Sequence, residues 1–156
     1  RSSDLLPNRH MQVARLAPDH VSHIFRAIAV MATELFSLVP AAACESLAAS
    51  ARALGHPGER ARELAFHETL ISYIDNRYLE KIYQQFLDGY IGYVILYLKE
   101  DNQESAQILS SLMEAIRQGD RAEIAQETQR YFLSLAEIMR QHMKDWESAE
   151  ASIREN

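Results

Sequence analysis

Cysteine is nearly missing from this chain, and glycine and proline are scarce. Cys44 is the single cysteine among 156 residues, with five glycines and four prolines. One thiol cannot close an internal disulfide, so a stapled secreted scaffold is excluded and a reducing, cytoplasmic compartment is expected. Few turn-forming residues leave little room for disorder or low-complexity sequence and suit an ordered helical globule. A basic stripe is lacking too: 16 Lys and Arg are interleaved with 22 acids for a net charge of −6, a poor surface for DNA on its own. The most apolar stretch, residues 27–44, is interrupted by Glu34 and Pro40 and falls short of a membrane span. No signal-peptide pattern opens the chain, and no membrane association is expected.

What is present is apolar periodicity. Residues are 47% hydrophobic, enough at this length for one core without staples or metal. From residue 18 onward the spacing is helical, and the expectation is an all-α antiparallel bundle of about six helices. The first helix is expected after Asp19 as cap, burying Val21, Ile24, Phe25, Ile28, Met31 and Leu35, and ending near Pro40. Pro40 suits the first turn of a second helix through Cys44, Leu47 and Leu54, with Gly55 as its C-terminal cap. His56-Pro57-Gly58 reads as a linker. A third helix is expected over residues 59–74. Asp75 or Asn76 caps a long fourth helix from Arg77 to about Lys99, carrying Leu79, Ile82, Tyr83, Phe86, Tyr90, Val94 and Leu98 through the core. Asp101 and Asn102 cap a fifth helix that stops at Gly119. Asp120 and Glu123 form a capping box for a sixth, carrying Ile124, Tyr131, Leu135 and Met139 to about Trp146. The helical domain thus spans residues 17–147, with 148–156 a frayed tail.

Glu63 and His67 lie four apart, on one helix face, where they could share a cation or hydrogen-bond one another inside the bundle. The aromatic run Tyr73, Tyr78, Tyr83, Phe86, Tyr90, Tyr93 and Tyr97 reads as core or interface packing, some of it lining a cavity. His10, His20, His23, His56 and His142 lack metal-ligand spacing and read as surface residues. There is no phosphate loop, zinc-binding Cys pair or nucleophile elbow. A metal-carboxylate bundle enzyme around Glu63 and His67 would need Glu-x-x-His pairs on two helices, which the sequence does not offer, so no enzyme activity is expected. A helical interaction module without ligand is the other alternative, and a solid core around His67 would favour it.

Three motifs, in order, carry a family resemblance: Glu63 with Phe66-His67, Asp75-Asn76-Arg77-Tyr78-Leu79, and Ala115-Ile116-Arg117-Gln118-Gly119-Asp120. They resemble the acid-x-x-Phe-His, Gly-Asn-x-x-Leu and Ala-Ile-x-x-Gly-Asp marks of the effector-binding (FCD-type) C-terminal domain of FadR-type GntR transcription regulators, over roughly residues 20–143. The resemblance implies a ligand-sensing, homodimerising bundle that acts on DNA through a separate winged helix-turn-helix domain, which would precede residue 1. Residues 1–16 then resemble the end of the wing and the linker, with a cloning remnant ending at His10-Met11 as the rival. Many members of the family hold a divalent metal with an acid and three His. Here the acid and first His fall on Glu63 and His67, but the other two positions are Leu109 and Tyr131. No metal and no cofactor are therefore expected. Arg26 stands where the family often has an arginine facing the pocket, suited to an effector carboxylate or phosphate. The effector-pocket candidates are Arg26, Glu63, His67 and Tyr131, and the implied ligand is a small molecule such as an organic acid or acyl compound.

Overall fold

The computed structural model describes residues 17–57 and 59–155. The wing-and-linker reading of residues 1–16, with His10, lies outside them, as does Gly58 of the expected linker. Among the described residues the chain is all-α, with six α-helices and no strand. No single helix there is long and apolar enough to cross a membrane.

Helix α1 (Pro18–Phe36) starts one residue before the expected cap, with extended Ala17 as N-cap and Pro18 in the first turn. Proline fits there because its missing N–H is one that an α-helix leaves unbonded anyway. The expected stripe is buried at Val21, Phe25, Ile28 and Leu35, joined by Ala29, Ala32 and Phe36. Pro40 does not open the second helix directly. It precedes a tight turn at Ala41–Ala43, after which α2 (Cys44–Ala53) begins, bent by 101° from α1. Gly55 is not a left-handed cap: Leu54 closes α2 in right-handed geometry, and Gly119 is the single residue with positive φ among those described.

Helix α3 (Ala61–Ser72) buries Glu63, Phe66, His67, Leu70 and Ile71. Asn76 caps α4 (Arg77–Phe86) as expected, its side chain accepting the Leu79 N–H at 3.1 Å. The long fourth helix is not continuous. After Phe86 the chain widens into two π-helical segments, Leu87–Ile91 and Val94–Leu98, and Gly89 leaves helical geometry at φ −112°, ψ −108°.

Helix α5 (Gln103–Gln118) ends on Gly119, which takes φ 69° and lets its N–H and that of Asp120 reach back to the last turn. Two residues later α6 (Arg121–Glu155) starts. Asp120 accepts the Glu123 N–H at 3.1 Å, the forward half of the expected capping box. Helix α6 continues past Trp146 to Glu155, through a segment rich in good helix formers that carries an Arg154–Glu150 pair.

The packing follows from these stripes. Helix α1 lies chiefly on α6, α2 on α5, and α5 turns back against α6. Phe36 meets Tyr83 edge-on at 5.7 Å and stacks on Phe132 at 6.5 Å, bridging α1, α4 and α6 at the centre. That centre is where α3 points its polar pair.

Candidate functional site

A buried glutamate and histidine in an apolar core need partners. The fold supplies them from four elements. Glu63 and His67, one turn apart on α3, are fully buried. Tyr131 of α6 donates to Glu63 Oε2 at 2.6 Å and lies 2.7 Å from His67 Nε2. Tyr83 of α4 lies 2.9 Å from His67 Nδ1. Ser105, in the first turn of α5, donates to Glu63 Oε2 at 3.0 Å. Lys99, just past the second π segment, donates to Glu63 Oε1 at 2.6 Å and also to Ser105 Oγ.

Counting protons fixes the histidine tautomer. The single Tyr131 hydroxyl proton goes to Glu63, so Tyr131 must accept from His67 Nε2–H. Nδ1 is then bare and accepts from the Tyr83 hydroxyl. The result is a directed chain, Tyr83 to His67 to Tyr131 to Glu63, ending on a carboxylate that takes three donors in all. Electrostatics agree with this assignment. Burial, with the Lys99 charge adding to it, lowers the His67 pKa to about 3, so the ring is neutral. Burial and the nearby Glu63 carboxylate raise both Tyr83 and Tyr131 well above the ordinary phenol range.

Of the residues expected from sequence, the fold brings Glu63, His67 and Tyr131 together. It does not bring Arg26, which stands exposed on α1, outside the network and outside both clefts described below. Leu109 is fully buried in the apolar core. Sequence reasoning missed the Lys99 and Ser105 roles and read Tyr83 within an aromatic run of packing and cavity-lining residues, not as a partner of His67. A signal for Lys99 existed: a carboxylate inside an apolar stripe predicts a cation somewhere to meet it.

The family's metal does not fit this donor set. Among the described residues no three His, Cys, Asp or Glu side chains converge. Both His67 nitrogens are engaged, Leu109 offers no lone pair, and the Tyr131 phenol donates to Glu63 where a ligand would have to accept the ion.

The network has an edge on the surface. A cleft of about 490 Å³ runs between the Tyr97–Asp101 stretch, the start of α5 and the middle of α6, and its inner wall includes Lys99 and Ser105. That volume is in the range of small-molecule sites. Glu100, Asp101, Glu104 and Asp145 also line it, and none forms an ion pair among the described residues. His142 is half-buried in this wall, against Tyr93 at 6.3 Å, and so is not the plain surface residue expected. His20, His23 and His56 are exposed, as expected. A second, smaller cleft of about 250 Å³ lies between α2 and α3. His67 lines neither.

Comparison with known proteins gives one finding. Residues 14–145 match the family model described as the FCD domain. No curated protein and no solved structure matches the chain.

Proposed function

Because the chain belongs to the FCD domain family, the regulatory effector-binding domains of GntR-type regulators, we propose that it senses a small molecule and passes that signal to a DNA-binding domain on the same polypeptide. The observation that carries this reading is the contact between an open cleft and the buried polar network: Lys99 and Ser105 belong to both. A ligand settling in the cleft meets residues that tie α3, the exit of the second π segment and α5 together. It can therefore favour one arrangement of those helices over another, which is the requirement for ligand control of a distant site.

The lining also speaks to ligand class. Four carboxylates that form no ion pair among the described residues line the cleft, and the charge of Lys99 is already met by Glu63. Bringing a carboxylate there sets like charges together, so an organic acid fits poorly and an amine or neutral polar molecule fits better. Exposed Arg26 does not reverse this balance.

The test is a thermal-shift screen of small amines, sugars and carboxylates against the wild type and Gln141→Trp, which places a bulky side chain on the exposed wall of the cleft. The reading expects stabilisation by members of the first two classes, lost in the variant. Stabilisation by carboxylates alone, or equal stabilisation of both proteins, counts against it. The filled core around His67 favours one other reading, a bundle that serves only assembly, for which no compound in the screen shifts the melting temperature.

A further inference from the structure

We propose that Lys99 is the resident cation of the Glu63 site, an ammonium tethered to the chain that meets the buried carboxylate in place of a free ion. Backbone geometry delivers it. The Lys99 N–H bonds the Val94 carbonyl five residues back at 3.0 Å, closing the second π turn, and the residue then leaves the helix extended at φ −70°, ψ 144°. Arg60, at the entrance to α3, donates to the Lys99 carbonyl at 2.5 Å and holds that exit in place. An ordinary helical end would leave a lysine in solvent. Here the side chain turns inward and is 5% exposed, beside a glutamate that is wholly buried.

The chemistry around the ammonium is that of a cation site built for a lysine. Glu63 Oε1 faces Nζ at 2.6 Å, and Ser105 Oγ accepts from Nζ while donating its own proton to Glu63 Oε2 at 3.0 Å. The other donor on that carboxylate is the Tyr131 phenol. An incoming ion would have to expel Lys99 and would then find one histidine already bonded on both nitrogens. No other cationic side chain reaches Glu63 among the described residues. The assignment is independent of whether the cleft binds an effector.

Because Lys99 also lines the cleft, removing its side chain opens a path from solvent to Glu63. Lys99→Ala is therefore a vacancy that a free alkylammonium ion can fill. The full chain is melted as wild type, Lys99→Ala and Glu63→Gln/Lys99→Ala, each with ethylammonium chloride, ethanol as the neutral counterpart, and sodium chloride. Leaving Glu63 unpaired lowers the melting temperature of Lys99→Ala by roughly 10 °C. Ethylammonium restores much of that loss in a saturable way; ethanol and sodium do not, and the double variant gains nothing. A Lys99→Ala protein as stable as wild type overturns the proposal. So does rescue by ethanol, rescue that persists without Glu63, or no rescue at all. Should Lys99→Ala fail to fold, Glu63→Gln/Lys99→Met decides the matter. It removes both charges at nearly constant volume, so a folded double variant supports the pairing and an unfolded one contradicts it.

Discussion

His67 is neutral in the folded chain because burial disfavours its charged form, the Lys99 charge adds to that, and the Tyr83 hydroxyl donates to the one nitrogen that could take a second proton. The consequence for pH follows from linkage. In the unfolded chain the ring titrates near its ordinary value of about 6.5, whereas folded it titrates at about 3. Below about pH 6.5 the unfolded state therefore binds a proton that the native state does not, and stability is lost at roughly 1.4 kcal/mol per unit as pH falls toward 3. Urea unfolding of wild type and His67→Gln between about pH 7 and pH 5 checks this, since the variant lacks that slope. Parallel pH dependences would show that His67 is not held neutral. Tyr131→Phe strips Glu63 of one donor and His67 Nε2–H of its acceptor, and costs about 1–3 kcal/mol. Tyr78→Phe, on a side chain 81% exposed, stays within about 0.5 kcal/mol of wild type. The same denaturation assay separates the two. At this scale Glu63 and His67 were legible from their four-residue spacing, and Tyr131 from the family pattern. Lys99 and Ser105 were not, because their meeting with Glu63 spans 36 and 42 positions of sequence and depends on where a helix widens.

The widened stretch after α4 and the α5–α6 junction show two different demands on glycine. At Gly92 a Cβ would lie 2.2 Å from the Leu87 carbonyl oxygen, a backbone atom with nowhere to go. Gly92→Ala is therefore expected to cost about 3 kcal/mol or more and to disturb the segment that delivers Lys99. At Gly119 a Cβ meets nothing within 4 Å, so the demand is only the positive φ of 69°. Gly119→Ala is expected to cost about 1–2 kcal/mol with no change elsewhere. Melting curves rank the two, and equal losses would contradict the close approach at Gly92. Helix ends carried by local chemistry, such as the Asn76 cap and the Gly119 stop, were readable in the sequence. The break after Phe86 in the expected fourth helix was not, because apolar residues at Tyr83, Phe86, Tyr90, Val94 and Leu98 keep three- and four-residue steps through both regular and widened turns. Gly89 and Gly92 inside that stripe were the available warning.

The described residues form a helical bundle whose fold class was written in its periodicity, and whose family was written in short motifs around the α3–α4 and α5–α6 junctions. The cleft was beyond sequence reasoning because its walls come from two stretches far apart in sequence, residues 97–105 and 134–145. With the Glu63 charge met by Lys99, incubation with EDTA is expected to leave the melting temperature unchanged, whereas a drop of several degrees would reveal a bound metal. The most direct test of ligand sensing is native mass spectrometry of the protein after exposure to the small-molecule fraction of a bacterial extract, with the retained species released and identified. The account predicts a stoichiometric small molecule, amine or neutral polar in character, kept by wild type and lost from Gln141→Trp. A wild-type protein that retains nothing, or a blocked variant that retains as much, would contradict it.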